Sequence, residues 1–333
     1  MSESAFANNT NNVILKENDI RPKSRWLLFA LAIGLIVVTV ALVIILYFSV
    51  GRKKHKSIRR NRPFHPNRTE EFEKDNSITA NYVINEGDTD TLLFHPSFID
   101  LIVSIKVNKN ISNITNIITF NNSGNHKVEI KFKENLSSLN DLFLNCHSLN
   151  EVNLANLSTN QVITAADMFN GCENLQKIEF GKFEPKNMNN ISNMFSGCKK
   201  LTSIDVSFFE YGKLIDIQGL FSNCEKLTKI NFGNFNTNNV INMSKLFSGC
   251  TSLSEINLKD SPNFKTENVM DMSYMFYYCN NLEKINLDNF ETSKVVNMNN
   301  MFDKCEKVKE LNLSSLILKM LKICFLCLEI ALI

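Results

Sequence analysis

Seven of the nine cysteines fall in one stretch at near-constant spacing, and such a column of thiols is the first place to look for chemistry. Cys146, Cys172, Cys198, Cys224, Cys250, Cys279 and Cys305 are separated by 26, 26, 26, 26, 29 and 26 residues. Thiolates hold zinc, form disulfides or attack electrophiles. Zinc needs ligands converging on a tetrahedron, whereas a long fixed period gives a one-dimensional ladder. Disulfides need Cα atoms about 4.4–6.8 Å apart, which rungs about 5 Å apart would satisfy, but seven thiols cannot all pair. The expectation is buried free thiols acting as small apolar side chains, with some pairing as the alternative. Cys324 and Cys327 form a lone CxxC in an apolar tail, without the further ligands zinc needs or the context of a redox motif. His55, His65, His95, His126 and His147 form no HExxH, and there is no phosphate-binding glycine loop or serine-nucleophile motif. No catalytic residue, metal ligand or cofactor is expected, and the chain reads as non-enzymatic.

The elements that position the thiols follow from what surrounds them. Three residues before each cysteine stands Phe, at 143, 169, 195, 221, 247, 276 and 302, preceded by Leu or Met. Three residues after comes Leu, or Val308 in the last unit; six and eight after come further apolar residues. One unit therefore reads M-F-x-x-C-x-x-L-x-x-I-x-L-x-x-F, then T-x-x-V-x-x-M. The alternating I-x-L part predicts a short strand with one face buried. The V-x-x-M-x-x-M-F part, spaced near three, predicts a turn of helix. A unit this short cannot repay its backbone entropy of about 1–2 kcal/mol per residue alone, so the units are expected to stack into a solenoid. The predicted fold class is α/β, one parallel sheet on a concave side backed by short helical segments.

The pattern resembles the leucine-rich repeats of BspA-type surface proteins, through stretches such as NMFSGCKKLTSIDVSFF (Asn193–Phe209) and MSYMFYYCNNLEKINLDNFETSKVVNMNNMF (Met272–Phe302). The resemblance covers roughly residues 127–316. It implies surface display and adhesion, and it brings no catalytic residues with it.

The rest of the chain sets the domain organisation. Residues 1–25 are polar and read as a disordered tail. Residues 26–50 carry no charge and predict one transmembrane helix, about 37 Å long against a hydrocarbon core of about 30 Å. A basic linker, 51–76, opens with Arg52, Lys53, Lys54, Lys56, Arg59, Arg60 and Arg62. Residues 77–125 predict an N-terminal cap shielding the first repeat edge, in front of a solenoid of seven Cys-marked repeats over 126–316. Val128, Ile130 and Phe132 alternate with Lys127, Glu129 and Lys131, a strand with a charged outer face. Three extra residues around Lys259–Phe264 predict a loop, and 317–333 is an irregular apolar C-terminus.

Candidate binding residues are those pointing out of the sheet, five and seven positions after each cysteine. The first row is Glu151, Lys177, Ser203, Lys229, Glu255, Lys284 and Glu310; the second is Asn153, Glu179, Asp205, Asn231, Asn257, Asn286 and Asn312. Asn153, Glu179, Asp205, Asn231, Asn257, Asn286 and Asn312, with Lys177, Lys229 and Lys284, are the expected contact set for a protein or glycan ligand. A plainer reading of the Asn run is equally open: amides tolerate an exposed sheet and bond along it. A net charge of +2 and the absence of a basic stripe or exposed aromatic row argue against nucleic acid.

Orientation is where two signals oppose each other. The basic flank after the span places the repeats in the cytoplasm by the positive-inside rule. The family resemblance, and N-x-S/T sequons at Asn67, Asn110, Asn113, Asn121, Asn135, Asn156, Asn190, Asn242 and Asn312, place them outside. The favoured reading is a single-pass plasma-membrane protein displaying its repeats for adhesion. The alternative is a membrane-tethered cytoplasmic scaffold that binds an intracellular protein.

Overall fold

Strand alternation opens the folded part of the chain. In a computed structural model describing residues 76–256, 258, 261–287 and 290–308, β1 (Ser77–Ile84) buries Ile78, Ala80, Tyr82 and Ile84 and turns its other residues outward. β2 (Asp90–Leu92) pairs with β5 (Ile117–Thr119), and β3 (Ile102–Val107) with β4 (Asn110–Ser112), both antiparallel. β6 (Gly124–Phe132) buries Val128, Ile130 and Phe132 and lies antiparallel between β1 and β3. The first repeat strand, β7 (Leu149–Asn153), is covered on one side by β1, antiparallel, and joined on the other by β8 (Lys177–Glu179), parallel. One six-stranded sheet, ordered β4-β3-β6-β1-β7-β8, thus runs from the cap into the repeats. β6 straddles residues 125 and 126, where the cap was expected to end.

Beyond β8 the strands shorten and the sheet is interrupted. β9 (Ser203–Asp205) pairs with β10 (Lys229–Asn231), and β11 (Glu255–Ile256) with β12 (Lys284–Ile285), each pair parallel and in register one repeat apart. The expected single parallel sheet is therefore a series of strand pairs among the described residues. Strands of two or three residues offer each neighbour too few bonds to form the main ladder.

That ladder lies in the segment expected to be helical. There is no α-helix among the described residues, and none there is long and apolar enough to cross a membrane. The expected span at 26–50, like the tail and most of the linker, lies outside the described residues. In each repeat the residue five before the cysteine and the residue one before it adopt φ between 52° and 75°. A left-handed residue at every fourth position reverses the helical hand, which side chains other than Gly, Asn and Asp resist. The chain instead makes successive tight turns, such as Leu144 N–H to Asp141 C=O at 2.8 Å and Cys146 N–H to Phe143 C=O at 3.0 Å. Its remaining amides point at the next repeat. Leu139, Asp141, Phe143 and Asn145 donate to the carbonyls of Thr164, Ala166, Met168 and Asn170 at 2.8–3.0 Å, and the corresponding four bonds recur at every junction through Cys305. Parallel bridges run unbroken along Ser138, Thr164, Asn190, Asp216, Asn242, Asp271 and Asn297.

Side chains lock the same junctions. The rings of Phe143, Phe169, Phe195, Phe221, Phe247, Phe276 and Phe302 stack in one column, successive centroids 5.2–5.9 Å apart and planes within 12°. Buried Thr159, Thr237 and Thr266 each exchange two bonds with one backbone residue of the next repeat, at Glu184, Lys265 and Glu291 respectively. The insertion is absorbed here too: Phe264 takes the place in the stack held by Phe235 before it and Phe290 after it. The described chain is thus a β-rich leucine-rich-repeat fold in which turns carry the regular bonding.

Two neighbouring positions test this backbone geometry. Lys245 holds φ 57°, where the preceding repeat has Gly219, and Gly249 holds φ 75°. A Cβ built on Gly249 would lie 2.4 Å from Asn223 Oδ1. Lys245→Gly is expected to stabilise the domain by up to about 1 kcal/mol, and Gly249→Ala to destabilise it by about 2 kcal/mol, both read from urea unfolding midpoints.

Candidate functional site

The outward face of the six-stranded sheet gathers polar side chains by register. Asn81 of β1 stands between Lys127 of β6 and Glu151 of β7, and Glu151 faces Lys177 of β8. One step along, Thr79 stands between Glu129 and Asn153, and Asn153 faces Glu179. The two rows are bonded together. Asn81 Nδ2 donates to Glu151 Oε2 at 3.0 Å, Asn153 Nδ2 to Glu179 Oε2 at 2.5 Å, and Lys177 Nζ to Glu179 Oε1 at 2.5 Å. Lys106 and Lys127 both approach Glu129, at 3.8 and 3.7 Å. A shallow depression of about 260 Å³ is lined by Thr79, Asn81, Lys127, Glu151, Asn153, Lys177 and Glu179. A second, of about 190 Å³, lies across β1 against Lys106, Glu129 and Lys131.

Of the residues expected from the sequence, Asn153, Lys177 and Glu179 come together in the first depression. Asp205 and Asn231 form a second pair further along, Asn231 Nδ2 to Asp205 Oδ2 at 2.8 Å. Lys229 and Lys284 are exposed on later strands, and Asn286 is exposed just past the end of β12. Asn257 and Asn312, with Glu310, lie outside the described residues. Thr79, Asn81 and Lys127 were not in the expected set. Their signal was alternation in the cap strands, but the antiparallel pairing that brings β1 beside β7 has no local signature.

The groups presented on this face are amides, carboxylates and ammonium groups bonded to one another. The hydrogen bond and charge of Glu179 raise the Lys177 ammonium, and Lys177 in turn lowers the Glu179 carboxyl, so both are firmly ionised. Burial raises the Asp205 carboxyl, but bonds from the Ser207 hydroxyl and amide and from Asn231 outweigh it and leave it low. Neither of these two depressions is lined by a histidine or a cysteine. Among the described residues no group of three His, Cys, Asp or Glu side chains is placed to hold a metal ion. His126 is buried in the cap, its ring 2.9 Å from the Asn122 carbonyl and 3.0 Å from Asn108 Nδ2. Cys324 and Cys327 are outside the described residues.

Cys146, Cys172, Cys198, Cys224, Cys250 and Cys279 are free thiols and buried, and Cys305 is half-buried. From Cys172 onward these thiols are also donors, a role their spacing did not reveal. Cys172 donates its S–H to the Phe143 carbonyl at 3.0 Å, and each later thiol does the same to the Phe of the repeat before it, at 3.0–3.3 Å.

Residues 109–229 and 202–316 match the family described as Mycoplasma protein of unknown function, DUF285, and the chain belongs to that family. The family is associated with BspA-type repeats, so the resemblance read from the Phe-x-x-Cys units stands. No curated protein matches the chain. Among solved structures, a leucine rich cell surface protein of Faecalibacterium prausnitzii aligns at 17% identity over 50% of this chain and 60% of its own, with a TM-score of 0.23. A leucine-rich repeat protein of Bacteroides ovatus aligns at 16% identity over 63% of this chain and 81% of its own, with a TM-score of 0.18. Similarity at that level transfers nothing about function.

The thiols give a pH dependence. Burial pushes Cys198, Cys250 and Cys279 well above the ordinary 9.0, and Cys224 up to about 12. A group raised on folding stabilises the native state below its unfolded value and loses that contribution as pH climbs through the folded one. The urea midpoint is therefore expected to hold steady up to about pH 9 and to fall from there toward pH 12. Iodoacetamide at pH 8 should leave Cys172, Cys198, Cys224 and Cys250 unmodified by peptide mass mapping until urea unfolds the domain.

Proposed function

We propose that this chain is a non-enzymatic, single-pass membrane protein that presents a leucine-rich-repeat solenoid at the cell surface and binds a protein or glycan ligand through its strand face. The observation that carries the reading is the bonded grid of Asn81, Glu151, Lys177, Asn153 and Glu179. Amides and ion pairs fixed on a continuous sheet suit backbone amides or sugar hydroxyls, which need donors and acceptors at set spacings. The uncharged stretch 26–50 supports the anchor, and the family resemblance supports display.

A membrane-tethered cytoplasmic scaffold is the second reading. The free thiols, at home in a reducing compartment, and the basic flank at Arg52–Arg62 favour it. Topology separates the two. In intact cells of the source organism, external protease is expected to remove the repeats, whereas protection until permeabilisation would make the protein the scaffold. If display holds, Lys177→Ala with Glu179→Ala is expected to weaken adhesion of the expressing cells by about tenfold. Because both side chains are exposed, the urea midpoint should stay at the wild-type value. Unchanged adhesion would remove the strand face as the binding site.

A further inference from the structure

A second surface sits on the turn ladder, away from the strand face. Nine residues before successive cysteines stand Ile163, Asn189, Ile215, Ile241, Met270 and Val296. Ile215, Ile241, Met270 and Val296 are 44, 45, 48 and 64% exposed, an uninterrupted apolar stripe over four repeats. Their amides are spent inside the stack: Ile241 N–H donates to the Ile215 carbonyl at 2.9 Å, Met270 to Ile241 and Val296 to Met270 at 2.8 Å. A partner must therefore engage side chains. The stack does not require apolarity here, because Asn189 makes the same bond to the Ile163 carbonyl at 2.8 Å. β-branching favours an extended ladder but does not explain Met270.

Between Ile241 and Met270 the stripe is concave, a hollow of about 580 Å³ walled by Asn239, Asn268 and Lys294. Lys294 puts a cation in this wall, and Lys213 holds the same register one repeat before Asn239, eleven residues ahead of its cysteine. Lys213 Nζ donates to Asn187 Oδ1 at 2.8 Å and Lys294 Nζ to Asn268 Oδ1 at 2.5 Å, and neither ammonium meets a carboxylate among the described residues. Glu267, next to Asn268 in the chain, is exposed. The opposite edge holds Asp216 and Asp271, whose Oδ1 atoms accept from Gln218 and Ser273.

We propose that this stripe docks an amphipathic helix of a partner protein, its apolar face on Ile215, Ile241, Met270 and Val296 and an acidic edge against Lys213 and Lys294. The spacing suits a helix: one apolar contact per turn of about 5.4 Å meets one per repeat of about 4.8 Å, close enough over four repeats to keep register. Carboxylates on the edge would find two ammonium groups held only by amide oxygens, three repeats or about 14 Å apart.

The test uses the full-length chain in lipid nanodiscs and two fluorescent 18-residue helical peptides with the same leucine face, one edged with Glu and one with Lys. The acidic peptide is expected to bind saturably by anisotropy, and the basic one at least about tenfold more weakly. Ile241→Asn with Met270→Asn, which copies Asn189, should weaken the acidic peptide by at least about tenfold with an unchanged melting temperature. Lys213→Glu with Lys294→Glu should invert the peptide preference and keeps the test valid should the Asn variant unfold. Equal binding of both peptides, no saturable binding, or wild-type binding by folded variants would overturn the proposal. So would concentration-dependent self-association that the Asn variant abolishes, since the occupant would then be a second copy.

Discussion

The structure depends on a contact repeated at each junction between units. A phenylalanine carbonyl accepts the N–H of the cysteine three residues on and the S–H of the cysteine in the next repeat, while its ring stacks on the next ring. Each part fixes the others. The stacked rings set the rise between units, the rise places the thiol under the carbonyl, and burial keeps the thiol protonated and able to donate. An apolar side chain of similar size would fill the volume but leave the carbonyl with one partner fewer. This gives the column of cysteines a physical reason without metal, disulfide or catalysis.

Placing regular bonding in the turns has consequences for the strands. Four backbone bonds per junction come from the segment before the cysteine, so β9 to β12 can be two or three residues long and the sheet can break between pairs. Outward strand positions are then free to vary, and they do: Glu151, Lys177, Ser203, Lys229, Glu255 and Lys284 occupy one row with no common chemistry. The face is most organised where the cap sheet joins it, because β1 and β6 extend the strand layer sideways and supply Thr79, Asn81 and Lys127. A cap that closes the first repeat's edge thereby also supplies part of the lining of the candidate site.

The columns of Phe, Cys, Leu and Ile could be read directly, since a side chain that must be buried in every unit recurs in every unit. The paired outward rows followed from strand alternation. The helical expectation failed because apolar residues three apart suit a helix and a chain of tight turns equally well. The discriminating residues were present: Asn145, Gly171, Gly197, Asn223 and Gly249 precede their cysteines, and Asn or Gly at a fixed position marks a left-handed turn. Tyr278 and Lys304 in the same place obscured that signal. The strand pairing of the cap, which brings Asn81 to Glu151, is a long-range event that single-sequence patterning does not encode.

The central claim, that the turn ladder and not the strand layer holds the repeats together, is tested most directly by native-state hydrogen exchange. The account predicts that the amides of Phe195, Gly197, Phe221 and Asn223, which bond to the next repeat at 2.6–3.0 Å, are among the slowest to exchange, slower than those of Lys229 and Ile230 in β10. Strand amides that outlast turn amides, with the turns exchanging as surface loops do, would contradict it.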